Sequence, residues 1–216
     1  GIVFYILFGK NVNPKRIAIR KRESDKTNDE RVAESQLDMI DYFNLTNGDS
    51  RSKRYAKVVK LLLNNSQSLI SINNEVEVLT NGVQTFSSIL RALNEAKETI
   101  HIEYFIIKND QLGNKIKDIL IKKSQEGLMV RVIYDAVGSW KLGKKYKQEL
   151  IDAGVLLYPF YPVAFPIITR ELNYRNHRKI IIVDGNIGFL GGLNIGDEYL
   201  GKNKELGFWR DTHLQI

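Results

Sequence analysis

From residue 75 onward, short runs of β-branched and apolar residues alternate with longer segments in which apolar residues recur every three or four positions. The first pattern is typical of buried strands, and the second is typical of helices that cover a sheet. Glycines close two of the helical segments, as expected for helix ends. The predicted strands span 75–79, 99–107, 129–136, 155–158, 179–183, 187–190 and 211–216, and the predicted helices span 83–97, 110–125 and 141–152.

Strands separated by helices of this length predict an α/β fold, in which a largely parallel sheet is covered by helices on both faces. Two further helices, at 32–43 and 51–63, are predicted before the first strand from weaker patterns. The apolar residues expected to face inward from the first two helices of the alternating part are Phe86, Ile89, Leu90, Leu93, Leu112, Ile116, Ile119 and Leu120.

The start of the chain has a different character. Seven apolar residues, 2–8, are followed by basic residues with no acidic one between Lys10 and Arg22. A helix needs about 20 apolar residues to cross a bilayer, but an apolar end flanked by cations is typical of the cytoplasmic end of a membrane helix. A buried N-terminal strand is the alternative. We expect residues 1–9 to end a transmembrane helix, 10–31 to form a basic juxtamembrane linker and 32–216 to form the globular domain.

The composition restricts the partners and the compartment only broadly. The formal net charge of +7 indicates an anionic partner, and the sign alone does not separate nucleic acid from an acidic membrane surface. The position of the basic segment, directly after the apolar start, favours the membrane. The 216 residues contain no cysteine, which excludes disulfides and thiolate metal sites within them.

Candidate chemistry is concentrated between residues 173 and 199. His177 and Lys179 are two positions apart at the start of a predicted strand, so their side chains are expected to project from the same face. An imidazole and an ammonium would then share one site. A lone histidine on an apolar strand is more often a packed side chain, so the surrounding residues decide between the two interpretations.

Two polar residues and a glycine pair follow. Asp184 opens an Asp-Gly turn, and it either supports the site or contacts the substrate. Asn194 comes after Gly191 and Gly192, and it either donates its amide to the site or caps the next turn. A nucleophile, a fixed cation and a neutral donor are the groups that phosphoryl or phosphodiester transfer needs when no metal is used.

The spacing of these residues resembles the HKD motif of the phospholipase D superfamily. Three further segments, 174–179, 191–199 and 209–213, are similar to those of bacterial cardiolipin synthases, and 101–105 and 134–139 fit the same family. The likeness extends over about residues 70–216 and implies a phospholipase D-like α/β/α sandwich. The pattern that carries it is His177-x-Lys179-x4-Asp184, followed by Gly191-Gly192-x-Asn194.

The resemblance also implies roles for individual residues. His177 would attack phosphorus to give a phosphohistidine, Lys179 would bind a non-bridging oxygen, and Asn194 would donate to the phosphate. Asp184 belongs to the motif and is expected at the catalytic site. Gly191 and Gly192 would support the site.

Three other polar positions are weaker candidates. Asp211 is expected to orient His177 by accepting from its second ring nitrogen, and its alternative is an ion pair with Arg210 or a lysine. His101 and Glu103 share a strand face and are expected to pack in the core or to support the site. His213 is expected to be structural.

The family resemblance implies that two molecules of phosphatidylglycerol, an anionic phospholipid, react to give cardiolipin and glycerol. It implies no metal or other cofactor, and a location in the bacterial cell membrane with the catalytic domain on the cytoplasmic face. The family carries two H-x-K motifs, whereas these residues contain one. We therefore expect the first half of a longer chain, with the second half in the same chain, or else a homodimer with a twin across a two-fold axis.

Two competing functions follow from the same residues. A single-motif nuclease or phosphodiesterase acting as a homodimer would use the basic charge to bind DNA. A membrane-bound scaffold would keep the fold without the chemistry. The apolar start and the match at 209–213 disfavour the nuclease, and no nucleic acid is expected as a partner. The intact His177, Lys179 and Asn194 disfavour the scaffold.

A proline-rich stretch separates the predicted strand at 155–158 from the motif. Three prolines between residues 158 and 168 predict an irregular segment, which carries Phe160, Tyr161 and Phe165. These aromatic side chains would either enter a bilayer interface or pack onto their own domain.

Overall fold

A computed structural model of the chain describes residues 74–162 and 175–216, together with Val58 and Leu61. Within these ranges, the residues from Glu75 to Ile216 belong to one compact unit. Val58 and Leu61 are helical, in agreement with the helix predicted around them.

Several expectations concern residues outside the described part of the chain. They are the transmembrane end at 1–9, the linker at 10–31, the helix at 32–43 and the aromatic segment beyond residue 162. Among the helices of the described residues, none has both the length and the apolar character needed to cross a bilayer.

The elements found in the described unit agree with the predicted ones to within a few residues. Each helix has an apolar side that is buried, and the strands at 99–104, 129–135 and 179–183 alternate buried residues with more exposed ones. Two short 3-10 helices lie at Trp140–Leu142 and Asp197–Leu200. The elements are β1 (Glu77–Thr80), α1 (Asn81–Glu95), β2 (Thr99–Tyr104), α2 (Gln111–Gln125), β3 (Met129–Asp135), α3 (Lys144–Asp152), β4 (Leu156–Phe160), β5 (Lys179–Val183), β6 (Ile187–Gly191) and β7 (Thr212–Gln215).

The strands form one mixed sheet in the order β1-β7-β6-β5-β2-β3-β4. The predicted α/β class is confirmed. The expected predominance of parallel pairing is corrected, because only β2–β3 and β3–β4 are parallel among the described strands and the other neighbouring pairs are antiparallel. The Asp184-Gly185 turn makes β5 and β6 the predicted hairpin. β7 then pairs with both β6 and β1, a long-range arrangement that a run of apolar residues does not encode.

The edge strand β4 runs further than predicted. It continues through Pro159 to Phe160, where the carbonyl oxygen accepts from the N–H of Ala136 at 3.1 Å. A proline has no N–H to give to a neighbouring strand, so it is tolerated at a sheet edge. The irregular segment expected from residue 158 onward therefore begins later.

The described α-helices lie on one face of the sheet. The crossovers from β2 to β3 and from β3 to β4 step in the same direction, so right-handed connections place α2 and α3 on the same side. Tyr146 of α3 donates its hydroxyl to the carbonyl of Gly113 in α2 at 2.7 Å, and α1 packs beside α2. The expected second helical layer is not found among residues 74–162 and 175–216. Large apolar side chains stand exposed on the opposite face, namely Val78, Met129, Ile133, Leu156, Tyr158, Ile182 and Leu190.

Candidate active site at one end of the sheet

Three separated segments of the chain meet at one end of the sheet. β2, β3 and β6 finish at this end, whereas β5 and β7 begin there because they run antiparallel to their neighbours. We call it the site end. His177 precedes β5, Asn194 follows β6, and Asp211 precedes β7, so the topology brings these predicted residues to one edge.

The side chains of His177 and Lys179 contact each other at the site end. Lys179 Nζ lies 3.0 Å from Nδ1 and 3.3 Å from Nε2 of His177, and it donates to the His177 carbonyl oxygen at 2.9 Å. His177 is exposed, whereas Lys179 is only 3% exposed. An accessible imidazole can attack a phosphodiester while a neighbouring ammonium holds one of its oxygens.

Phe105 forms a wall beside both groups. Its ring centroid lies 4.6 Å from that of His177, and Lys179 Nζ lies 5.3 Å from the Phe105 centroid. Burial lowers the pKa of Lys179, and the nearby carboxylate of Asp211 acts in the opposite direction. An apolar wall excludes water, so the ammonium acts more strongly on an anion than it would in solution.

Asn176, directly before His177, fixes the approach to β5. Its N–H donates to Asp135 Oδ2 at 3.0 Å, and its Nδ2 donates to Glu103 Oε1 at 2.5 Å. Its Oδ1 accepts the N–H of Arg178 at 3.2 Å. The residues on both sides of His177 are therefore held by hydrogen bonds from Asn176, which is itself 5% exposed.

Asp135, at the end of β3, is fully buried and anchors this arrangement. Its Oδ1 accepts from the N–H groups of Val137 and Gly138 at 3.0 and 2.9 Å, and Arg175 Nη1 lies 3.4 Å from the same oxygen. Neither Asp135 nor Asn176 is among the residues predicted from the sequence to have a role at the site. Asp135 could have been found there, because an aspartate that ends a buried strand before a turn often accepts hydrogen bonds from the backbone of that turn.

Glu103 supports the site, one of the two roles expected for it. Besides Asn176, it binds Arg178, whose Nη1 lies 3.0 Å from Glu103 Oε1. His101 lies two residues earlier on the same face of β2 and pairs with Arg131 and Ile182, away from the site end.

The glycine pair makes room for the side chain of His213 in the following strand and for that of Asp211 directly before it. A Cβ on Gly191 would lie 2.3 Å from Nδ1 of His213, and a Cβ on Gly192 would lie 2.3 Å from Oδ1 of Asp211. Neither glycine has a positive φ, so the close approach, and not the backbone conformation, requires glycine here. The supporting role of the pair stays a prediction, and this close packing would be its steric basis.

The strand register places four residues in one row on the helix-facing side. Tyr104 pairs with Lys179, and Gly191 pairs with His213. Because Ile180 pairs with Leu190, Lys179 lies opposite Gly191. Only the bare backbone of Gly191 therefore separates Lys179 from His213 along the row.

His213 is fully buried, in keeping with the structural role expected for it. Within the described residues, neither of its ring nitrogens has a hydrogen-bond partner. Burial lowers the pKa of His213 to about 4, while Asp211 raises it and Lys179 lowers it. The ring is therefore a neutral, desolvated group beside the buried ammonium.

Asn194 reaches the site end and is 6% exposed. Its Oδ1 accepts the N–H of Ile106 at 3.2 Å, and its Nδ2 donates to the Tyr199 hydroxyl at 2.7 Å. These bonds connect the segment after β6 to the end of β2. The side chain of Asn194 therefore does not cap the next turn, which was the alternative role. Donation to a substrate phosphate stays a prediction.

Asp211 also lies at the site end, but not in the expected contact. Its carboxylate accepts the N–H of Thr212 at 2.7 Å and lies 3.4 Å from Nε1 of Trp209. In the described part of the chain, no hydrogen bond joins Asp211 to His177, and no ion pair joins it to Arg210, whose Nη1 donates to Asn81 Oδ1. Its effect on the site is electrostatic, through Lys179.

Asp184 is not at the site, which corrects the expectation of a catalytic role. It lies at the far end of β5, where its carboxylate accepts the N–H groups of Lys97, Glu98 and Thr99 at 2.9, 2.8 and 2.9 Å. Burial acts to raise the pKa of Asp184, but these backbone donors lower it on balance. Asp184 therefore fixes the start of β2 against the β5–β6 turn.

No group of three or more histidine, cysteine, aspartate or glutamate side chains in residues 74–162 and 175–216 is arranged to hold a metal ion. The ammonium of Lys179 and the ring of Phe105 contact His177, and the amide of Asn194 lies at the same end of the sheet. This set suits an anionic ester with one negative charge.

Comparison with known families gives a match to the model described as "Cardiolipin synthase, PLD-like domain", over residues 89–214. PLD denotes phospholipase D. The matched range includes His177, Lys179, Asn194 and Asp211, and it covers more than half of the chain.

Curated relatives match over the whole chain. Cardiolipin synthase 2 of Bacillus cereus is 50% identical over 220 aligned residues, covering 100% of this chain and 41% of the relative. The cardiolipin synthase of a Geobacillus species is 46% identical, covering 100% of this chain and 42% of the relative. The chain thus spans about two fifths of the length of the curated relatives it matches.

Among solved structures, the phosphatidylserine synthase of Haemophilus influenzae is similar in fold. The superposition has a TM-score of 0.55 at 19% identity and covers 74% of this chain and 37% of that chain. At this level of sequence identity, the similarity supports a common fold and nothing further.

Proposed function

The chain belongs to the cardiolipin synthase, phospholipase D-like domain family, and from this membership we propose that its site end transfers a phosphatidyl group. One phosphatidylglycerol would donate its phosphatidyl group to the headgroup hydroxyl of a second, giving cardiolipin and glycerol. The observation that carries the proposal is the exposed imidazole of His177 with the buried ammonium of Lys179 3.0 Å from its Nδ1.

In the first step, a ring nitrogen of His177 bonds to phosphorus and the bond from phosphorus to the glycerol oxygen breaks. Lys179 contacts the ring. A bound phosphodiester would draw the ammonium to a non-bridging oxygen and leave the ring nitrogen free to attack. The departing glycerol oxygen takes up one proton.

In the second step, the hydroxyl of the second phosphatidylglycerol attacks the phosphorus of the phosphohistidine, and the bond between phosphorus and nitrogen breaks. The hydroxyl proton goes to the group that protonated glycerol, which restores that acid. The 216 residues contain one H-x-K. We propose that the acid comes from a second H-x-K half, in the same protein or on a twin chain.

The remaining polar groups would stabilise the charge on the phosphate. Asn194 holds Ile106 and Tyr199 and has a second amide hydrogen for a phosphate oxygen. Asp211 would keep Lys179 protonated by its charge. The basic segment after the apolar start supports a placement of the site on the cytoplasmic face of the cell membrane.

The test compares full-length wild type with His177→Asn in vesicles that contain phosphatidylglycerol, scoring both cardiolipin and glycerol. Loss of the nucleophile should reduce turnover by about 10³-fold or more. His101→Asn is a matched control, because His101 lies on the same sheet away from the site end. Equal turnover by wild type and His177→Asn would contradict the assignment, and His177-dependent cleavage of DNA without cardiolipin formation would favour the nuclease.

A further inference from the structure

Large apolar side chains stand exposed at the site end on both sides of His177. Trp140 is 75% exposed and Phe208 is 74% exposed, while Leu206 beside Phe208 is 54% exposed. We call Trp140, Leu206 and Phe208 the interfacial rim. Single exposed apolar residues are common, but these three are held by loops that are bonded to the site itself.

Trp140 follows a residue that is anchored to the wall of the site. The hydroxyl of Ser139 donates to the carbonyl of Phe105 at 3.2 Å and accepts the N–H of Ile107 at 2.9 Å. Phe105 in turn packs against the ring of His177. The position of Trp140 is thus coupled to His177 through two residues.

Phe208 is placed by its own loop. The side chain of Asn203 accepts the N–H groups of Glu205 and Leu206 at 2.9 and 3.2 Å. The next residue, Trp209, turns inward, where its ring lies 5.0 Å from that of Tyr199. This inward anchor leaves Phe208 on the outside of the loop.

The two parts of the interfacial rim lie on opposite sides of His177. The strand order places β3, which leads to Trp140, two strands from β5, and β7, which follows Phe208, two strands from β5 in the other direction. With strands about 4.8 Å apart, each side stands roughly 10 Å from the strand that carries His177. A flat surface that touched both sides would lie across the site.

The charges next to the interfacial rim are mostly positive. Residues 136–145 contain three lysines and no acidic residue, and Lys141 Nζ lies 5.5 Å from the centroid of the Trp140 ring. Residues 202–210 contain two lysines and one arginine against one glutamate. Aromatic rings surrounded by cations are typical of surfaces that bind the interface of an anionic bilayer.

We propose that the interfacial rim seats the site end on an anionic phospholipid bilayer, with Trp140 on one side of His177 and Leu206 and Phe208 on the other. The inference rests on the proposed function, because it names the surface from which the site would take its lipid. Single-stranded nucleic acid also binds to aromatic rings and cations, but it does so by stacking, and Leu206 has no ring for a base.

The first experiment measures contact with lipid without any chemistry. Phe208→Cys and Trp140→Cys, each labelled with a polarity-sensitive fluorophore, are placed in full-length protein reconstituted into vesicles with or without phosphatidylglycerol. Met129 and Ile151 are exposed to 44% and 50% and lie at the opposite end of the sheet, so Met129→Cys and Ile151→Cys are the matched controls. The labels at 140 and 208 should shift to an apolar environment in the anionic vesicles, and the controls should not.

The second experiment measures the consequence for turnover. Trp140→Ser/Phe208→Ser is compared with Met129→Ser/Ile151→Ser for cardiolipin synthesis in vesicles and in mixed detergent micelles, where lipid reaches the site without a bilayer. The ratio of vesicle rate to micelle rate should fall about tenfold in the first variant, equivalent to about 1.4 kcal/mol of lost interfacial binding. The ratio should be unchanged in the second.

The outcomes separate this inference from the proposed function. Labels at 140 and 208 that respond no more than those at 129 and 151, or that respond to an oligonucleotide and not to the anionic vesicles, would overturn the interfacial rim. A wild-type protein that makes cardiolipin in neither vesicles nor micelles would overturn the proposed reaction, whatever the labels report. Thermal unfolding of each variant, followed by circular dichroism, shows whether it is folded.

Discussion

Lys179 Nζ lies within 3.3 Å of both ring nitrogens of His177, although Lys179 is buried and His177 is open to solvent. A lysine ammonium has only donors, so the contact requires a ring nitrogen with a free lone pair. The pair is therefore arranged with the imidazole facing solvent and the lysine ammonium held beneath it. This arrangement suits attack on an anion.

The protonation of Lys179 should set the alkaline limit of activity. Burial lowers its pKa, against the effect of Asp211, so activity should fall as pH rises through that lowered value, before a free lysine would lose its proton. Asp211→Asn removes the opposing carboxylate and should move the limb to lower pH. The measurement is kcat/KM between about pH 6 and 10 for both proteins.

Stability should change in the opposite sense over the same range. The folded-state pKa of Lys179 lies below its unfolded value, so the unfolded chain binds more protons between the two and stability from this group rises with pH there. The activity profile gives the contrary outcome: if kcat/KM fell at the same alkaline pH in wild type and in Asp211→Asn, the electrostatic role of Asp211 would be contradicted.

Gly191→Ala should damage both the fold and the site. Its Cβ would lie 2.3 Å from Nδ1 of His213 and 2.7 Å from the His213 Cα, so the backbone must shift, at a cost of about 1–3 kcal/mol in the free energy of unfolding. Gly188→Ala is the matched control on the same strand, because nothing lies within 4 Å of its Cβ position. Urea unfolding and turnover should both change in the first variant and neither in the second.

Asp184→Ala should destabilise the protein without altering its chemistry. Three backbone N–H groups lose their acceptor and a left-handed φ of 51° becomes less favourable, which together cost about 2–3 kcal/mol. Asp184→Asn keeps one acceptor oxygen and tolerates that φ, so it should lose less. The melting temperature should fall, while turnover per folded molecule should stay at the wild-type value. A selective loss of kcat in folded protein would instead return Asp184 to the catalytic site.

His213 should make stability depend on acid pH. Its pKa in the folded protein is about 4, so between there and about 6.5 the unfolded chain binds a proton that the folded chain does not. Stability should therefore fall by about 2 kcal/mol through this group as pH is lowered from 6.5 to 5. Both His213→Leu and His213→Gln should lose this part of the slope, as measured by urea unfolding at several pH values.

The two variants differ in what they leave in the core. His213→Leu also removes ring nitrogens that have no partner among the described residues, so it should be at least as stable as wild type at neutral pH. If the unfolding free energy of both variants still fell with pH as in wild type, the acid sensitivity would belong to another group.

Local periodicity was enough to predict most elements and the pairing of His177 with Lys179. Side chains two apart on a strand share a face whatever the rest of the chain does. The antiparallel β7, in contrast, depends on where residues 212–215 return relative to β1 and β6, which no local pattern specifies. The same holds for Asn176, whose partners Glu103 and Asp135 come from two other strands.

The prediction that Asp184 lies at the catalytic site was wrong for a related reason. In sequence it stands five positions after Lys179, but five residues of extended chain span about 16 Å, which carries it to the other end of β5. Its partners at Lys97, Glu98 and Thr99 are 85 to 87 positions away along the chain. Only the assembled sheet shows that the carboxylate belongs to them.

The distance between Asp184 and His177 means that the motif can be lost in parts. A descendant that exchanged the histidine but kept the aspartate would retain a well-formed architecture and no turnover. A descendant that exchanged the aspartate would keep its reactive groups, but the protein would unfold at a lower temperature. Inactive members of the family should therefore be recognised by substitutions at the positions of His177 and Lys179. Members of low stability should be recognised by substitutions at the position of Asp184.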